Sequence, residues 1–194
     1  MIIGITGGTG CGKTTALNVI REMGGIVIDC DAVYHDLLKT DKALLGAIED
    51  RFPGTVEEGS LNRKKLGSIV FADPAALQDL NAITHSAICG AVKQRLTPPP
   101  ALAAIDAIAL LESGLAELCN LTIAITAPET LRIPRLMARD GISAEYAAAR
   151  IHSQKPASYF QKNCDYVLEN DGTESQFQEK CLAFFQELDI MNHN

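Results

Sequence analysis

Short apolar runs alternate with longer amphipathic segments along this chain. The runs are Ile2–Thr6, Ile26–Ile28, Ala103–Ile108, Leu121–Thr126 and Tyr166–Leu168, largely flanked by Gly, Asn or Pro, and the stretches between them carry helical periodicity. That alternation predicts an α/β fold with a parallel five-stranded sheet covered by helices on both faces. After the first run, Leu17, Ile20, Val19 and Met23 form the apolar side of a helix that Gly24-Gly25 should stop. About seventy residues separate the second and third runs, whereas a crossover needs only a dozen or so. The excess predicts a helical insert, densest from Leu61 to Leu96, interrupted at Ala72-Asp73-Pro74 and closed by the stiff Pro98-Pro99-Pro100.

Composition narrows the function classes. The chain has 194 residues, enough for one domain with a full core, and its 47% hydrophobic and 21% charged content is that of a globular protein. Acidic residues outnumber basic ones by 24 to 17, a formal net charge of −7, which argues against duplex nucleic acid as a partner. With no basic leader and no apolar run long enough for a membrane span, a cytosolic protein without a membrane partner is expected. Cys11, Cys30, Cys89, Cys119, Cys164 and Cys181 form no C-x-x-C pair and read as reduced thiols. His35, His85, His152 and His193 are equally dispersed, so neither zinc nor a Cys/His dyad has support.

Chemistry enters between the first run and the first helix. Residues Gly7 to Thr14 spell G-x-x-x-x-G-K-T, a glycine loop whose backbone N–H groups and helix N-terminus, near Lys13, make an anion site. Gly8, Thr9, Gly10, Cys11, Gly12, Lys13, Thr14 and Thr15 are the expected ATP contacts. Lys13 would reach the β- and γ-phosphates and Thr14 would ligate Mg²⁺; a glycine turn that merely packs is the competing reading. Beside Lys13 and a helix N-terminus, the Cys11 thiol should ionise readily if accessible, or else serve as a small buried filler. No N-K-x-D is present and no third strand ends in D-x-x-G, which disfavours a switch GTPase. A small-molecule kinase needs an acceptor-binding insert and an arginine-bearing lid, and both have candidates.

At the end of the second run lie Asp29 and Asp31, where one carboxylate could take the proton of an attacking hydroxyl and one could cap a helix beginning at Ala32. In Ala127–Ser143, Arg132, Arg135 and Arg139 recur at spacings of three and four, on one helix face, either closing over a triphosphate or simply solvated. Pro134 should kink that helix. Glu112, taken to end the third strand, could help hold the acceptor or a water on Mg²⁺, or cap a following helix.

The segments ITGGTGCGKTT, VIDCDAVYHDLL, LNRKKLGSIVF with Asp73-Pro74, LNAITH, LLESGLAELCN, ETLRIPRLMARDGIS, ARIHSQ and DYVLENDG, in order and nearly end to end, resemble the dephospho-coenzyme A kinase family. The resemblance implies a P-loop kinase core at about 1–40, 101–127 and 155–194, an acceptor-binding insert at about 41–100 and a lid at about 128–154. It implies transfer of the ATP γ-phosphate, with Mg²⁺, to the ribose 3′-hydroxyl of dephospho-coenzyme A, the last step of coenzyme A biosynthesis. Asp31 would be the base, with Lys13 and Arg139 completing the catalytic set. Arg135 and Arg139 would meet ATP, Arg63 and His85 the acceptor, and Asn170 and Gly172 the loop beside adenine. The chain departs from the family at Cys11 (usually Ser), Asn62 (usually Asp), Ser86 (usually Pro) and Ile108–Glu112 (usually Pro-Leu-Leu around the strand end). A kinase for another nucleotide or nucleoside, and a non-catalytic nucleotide-binding module, remain the alternatives, and a monomer is expected.

Overall fold

The computed structural model describes residues 1–192. The chain opens with β1 (Ile2–Thr6), α1 (Lys13–Glu22), β2 (Ile26–Asp29) and α2 (Cys30–Thr40). The insert follows as α3 (Lys42–Arg51), a hairpin of β3 (Val56–Glu57) and β4 (Ser60–Leu61), α4 (Arg63–Val70) and α5 (Pro74–Arg95). The chain returns through β5 (Ala103–Asp106), a 3₁₀ turn at Leu115–Leu118 and β6 (Leu121–Thr126). It ends with α6 (Glu129–Asp140), α7 (Ala144–His152), α8 (Ala157–Asn163), β7 (Tyr166–Glu169) and α9 (Glu174–Asn192).

Strands β2, β5, β1, β6 and β7 form one sheet in that order, with every pairing parallel. Because β1 sits between β5 and β6 while the chain runs from it to the edge strand β2, the strand order reverses at β1, and a crevice opens beyond the strand ends there. On one face, α1 and α9 bury Leu17, Ile20, Phe177 and Phe185 against Ile3, Ile5 and Ile123. On the other, α2 and α5 bury Val33 and Val92 against Ile28 and Ile105. Each such side chain contributes roughly 1.5–3 kcal/mol, so the sheet that carries the site is held from both sides. The insert has its own core of Leu44, Ile48, Phe52 and Leu66, and α6 and α7 share Leu136, Ala147 and Ile151.

Two expectations change. Strand β5 ends at Asp106: Ala107 N–H still donates to Ile5 O (3.2 Å), but the chain then turns away, and Thr6 Oγ1 pins the turn by donating to Ile108 O (3.1 Å). The apolar run continues past the strand because Leu110 is wholly buried in the turn, and Glu112 is therefore six residues beyond β5. Helix α2 starts at Cys30, two residues before the expected Ala32. Helix α6 carries Pro134 in its interior, on the exposed side. No helix among the described residues is long and apolar enough to cross a membrane.

Candidate active site

The glycine loop is held against the sheet by contacts that admit no side chain. Gly7 has φ 137°, and a Cβ there would collide with the carbonyl oxygen of Ile125; Gly12 caps α1 at φ 96° and sits against the Asn170 amide. Between the loop and α6 lies a cleft of about 410 Å³, walled in part by Thr9, Lys13, Thr14, Asp31, Asp106 and Arg139. Lys13 Nζ donates to Gly7 O (3.0 Å), folded back over the loop, and Thr14 is exposed on the first turn of α1. Thr15 turns its N–H to Gly12 O (3.1 Å) and is not among the cleft walls.

Cys11 does not behave as the reactive-thiol reading expects. It is only 2% exposed, packed with Ile5, Ala16 and Phe177, and burial pushes its thiol up despite the opposing fields of Arg132 and Lys13. The small side chain serves as buried filler. All six cysteines are free thiols, and burial pushes Cys30 and Cys119 up to about 12.

The two aspartates at the end of β2 separate cleanly. Asp29 is the N-cap of α2: its Oδ1 accepts from Asp31 N–H (2.9 Å) and Ala32 N–H (3.1 Å). Asp31 is thereby released from capping, and its exposed side chain lies on the cleft wall. Asp106, which the sequence reading did not single out, pairs in register with Asp29 and lines the same cleft. Burial raises its carboxyl above the usual range, and Lys13 opposes that rise.

Helix α6 aims its arginines at the loop. Arg132 Nε donates to Thr9 O (2.8 Å) and its Nη2 to Gln154 Oε1 (2.9 Å), while the same Gln154 oxygen accepts Thr9 N–H (2.9 Å). Arg132, left open between lid and solvated face, is thus a brace for the loop, as is Gln154. Arg135 lines the cleft and reaches Asn170 Oδ1 (3.2 Å) and Gly172 O (3.3 Å). Asn170 is buried and donates from Nδ2 to Cys11 O (3.0 Å), so both ends of its amide are used inside the fold. Arg139 Nη2 approaches Thr9 Oγ1 (3.4 Å), and its guanidinium also grips Asp140 (2.7 and 3.0 Å). Arg150 on α7 donates from Nη1 to Asp140 Oδ2 (2.7 Å), the oxygen that also accepts Arg139 Nη2, and lines the cleft. The hydrogen bonds from Arg139 and then Arg150 hold the Asp140 carboxyl down at about 2.

A second cavity, of about 200 Å³, adjoins the cleft, and Asp31 and Ile108 belong to the walls of both. His85, Thr84, Tyr34 and Ser113 complete its polar lining; burial lowers the His85 pKa, which Glu112 partly offsets. The other two expected acceptor contacts lie elsewhere. Glu112 accepts from Tyr159 Oη (3.0 Å) and lines a neighbouring groove of about 380 Å³ with Gly8, Gln154 and Lys155. It caps no helix, since the following 3₁₀ turn begins at Leu115 with Gly114 at its N-cap position and no side-chain cap. Arg63 faces an apolar pocket beyond Tyr34, with Nη1 3.4 Å from His35 Nε2. Gly172 borders a groove of about 380 Å³ formed with Glu169, Gln176, Phe177 and Lys180, and Asn170 is not among its walls. Among the described residues no three Asp, Glu, His or Cys side chains gather as a metal cage, and His193 lies outside the described residues.

The sequence profile of the family described as Dephospho-CoA kinase matches residues 1–176. The chain belongs to the dephospho-CoA kinase family. This kinase is 35% identical over 192 residues to Dephospho-CoA kinase of Lactobacillus johnsonii, covering 96% of this chain and 97% of that one. A solved Thermus thermophilus structure superposes with a TM-score of 0.78 at 32% identity, covering 97% of each chain. Dephospho-CoA kinase from Campylobacter jejuni gives 0.70 at 26% identity over 98% of each chain. The kinase has the P-loop kinase fold, and its activity is ATP-dependent phosphorylation of dephospho-coenzyme A in coenzyme A biosynthesis.

Proposed function

We propose that the two adjoining spaces divide the reaction, with the triphosphate of ATP in the cleft at the glycine loop and the ribose end of dephospho-coenzyme A in the cavity at His85. The observation that carries this reading is Asp31, which borders both spaces and is freed from capping by Asp29. Asp31 accepts the proton of the ribose 3′-hydroxyl and orients its oxygen toward the γ-phosphorus. Lys13, Arg135 and Arg139 offset the charge that spreads over the transferring phosphoryl group. Loop amides hold the phosphates, and Arg132 and Gln154 keep those amides aimed. His85 and Thr84 fix the acceptor, while the diphosphate and the rest of it run out past Arg63 or Glu112.

The cleft also offers hard oxygen donors for Mg²⁺, the exposed Thr14 hydroxyl and the carboxylates of Asp31 and Asp106 among its lining residues. Held there by Thr14, Asp31 and Asp106 together with ATP, the ion would supply positive charge that offsets the charge of the phosphates. A cytoplasmic setting fits the six free thiols.

Release of ADP should depend on dephospho-coenzyme A, with ³¹P NMR showing a new monoester on the 3′ oxygen. Equal turnover with nucleoside monophosphates, or a monoester at another position, would overturn the reading. A folded Lys13→Ala protein that turns over near normally would remove the cleft from it.

A further inference from the structure

The lid carries a cation that the glycine loop and the arginine row do not account for. Arg150 lies on α7, eleven residues after Arg139, yet both guanidiniums converge on one carboxylate, that of Asp140. Asp140 ends α6, and the chain reverses immediately at Gly141 (φ 66°) before α7 begins at Ala144. Leu136, Ala147 and Ile151 pack the two helices together, so the positions of Arg139 and Arg150 relative to each other are set by a buried contact. Both arginines and Lys13 wall the same cleft, whereas Asp140 does not.

Two guanidiniums placed side by side repel, and long side chains left alone spread into solvent. A carboxylate between them removes the repulsion and fixes both planes: it accepts Nε and Nη2 of Arg139 and Nη1 of Arg150. Arg139 still reaches the loop through Nη2 at Thr9 Oγ1, and the remaining donors of Arg150 are left for a ligand.

We propose that Arg150 is a further catalytic residue, contacting the phosphates of ATP, and that Asp140 is a positioning residue presenting Arg139 and Arg150 to the cleft as one unit. The inference rests on the assignment of that cleft to the triphosphate. Asp140 itself touches no substrate; it acts by limiting where the two guanidiniums can point. The clamp is complementary to three equatorial phosphoryl oxygens in a way that a single arginine is not.

The test is steady-state turnover with MgATP and dephospho-coenzyme A, beside thermal midpoints. Arg150→Ala should lower kcat on the order of 10²-fold, the loss expected for one preorganised donor set, and millimolar guanidinium should restore part of it. Asp140→Asn should lower kcat by roughly tenfold, because the guanidiniums remain but lose their orientation. In an Arg139→Ala/Arg150→Ala background, Asp140→Asn should add nothing, since it has nothing left to position. A purely structural Asp140 predicts the same loss in both backgrounds, and that result overturns the positioning role. Arg150→Ala turnover within about twofold of the parent overturns the phosphate contact. Lys13→Ala is the control: if it loses activity and Arg150→Ala does not, the cleft assignment stands and only this inference fails.

Discussion

Replacing Asp31 by Asn tests the mechanism at its most exposed point, because the structure separates the chemical cost from the structural one. The substitution keeps size and removes the anionic acceptor. A general base typically contributes about 10²- to 10⁴-fold, or roughly 3–5 kcal/mol of barrier, so kcat should fall by that factor. Stability should barely respond. The cap of α2 belongs to Asp29, and Asp31 contributes only an acidic charge in the first turn, worth about 0.3–1 kcal/mol. For a chain of this size that is a shift of at most about 4 °C. Asp29→Ala gives the opposite signature: two N–H acceptor contacts are lost, at a cost of about 0.5–2 kcal/mol, while the carboxylate at the junction of the two spaces remains. The assay is ADP release at saturating MgATP and dephospho-coenzyme A, run beside thermal melts of both variants. A folded Asp31→Asn enzyme with kcat within about threefold of the parent would falsify the base assignment.

Two further outcomes follow from the lid and the loop. Cys11 should resist alkylation in the native protein at the same slow rate with and without MgATP, because its thiol is buried and pushed up; fast labelling that nucleotide suppresses would refute the filler reading. Asp140 is held below its unfolded pKa, so its ion pairs contribute stability that is fully present above about pH 4 and lost as pH falls toward 2. The difference in thermal midpoint between the parent and Asp140→Asn should therefore be constant above that window and shrink within it; a difference that persists unchanged to pH 2 would contradict the pairing.

Local pattern carried the sheet further than it carried the site. Strands β1 and β6 occupy the residues that alternation and flanking Gly, Asn and Pro mark out, and the phosphate loop lies in the strand-to-helix setting its motif requires. The third run misled because apolar residues do not stop where pairing stops: Leu110 is buried in a turn as deeply as Ile105 is in its strand. The β3–β4 hairpin escaped notice at two residues per strand, although Glu58-Gly59, both at positive φ, is the turn such hairpins use. The brace role of Arg132 and Gln154 escaped for another reason. Their partner Thr9 lies more than 120 residues away, so only tertiary packing tells a brace from a solvated side chain. The same holds for Asp140 and Arg150, whose shared role depends on how α6 and α7 fold back on each other.

The insert separates two strands that pair directly, β2 and β5, and its outer part has a core of its own at Leu44, Ile48, Phe52 and Leu66, while the end of α5 returns to pack Val92 on the sheet. Doubling such an excursion costs only about 0.6 kcal/mol of closure entropy. The sheet can therefore carry inserts of different length and shape while Asp29 and Asp106 stay in register. The outer insert, α3 to α4, is the part open to replacement by grafting, whereas α5, tied to the sheet through Val92, and α6, tied through Arg132, Arg135 and Asn170 to the glycine loop, are not.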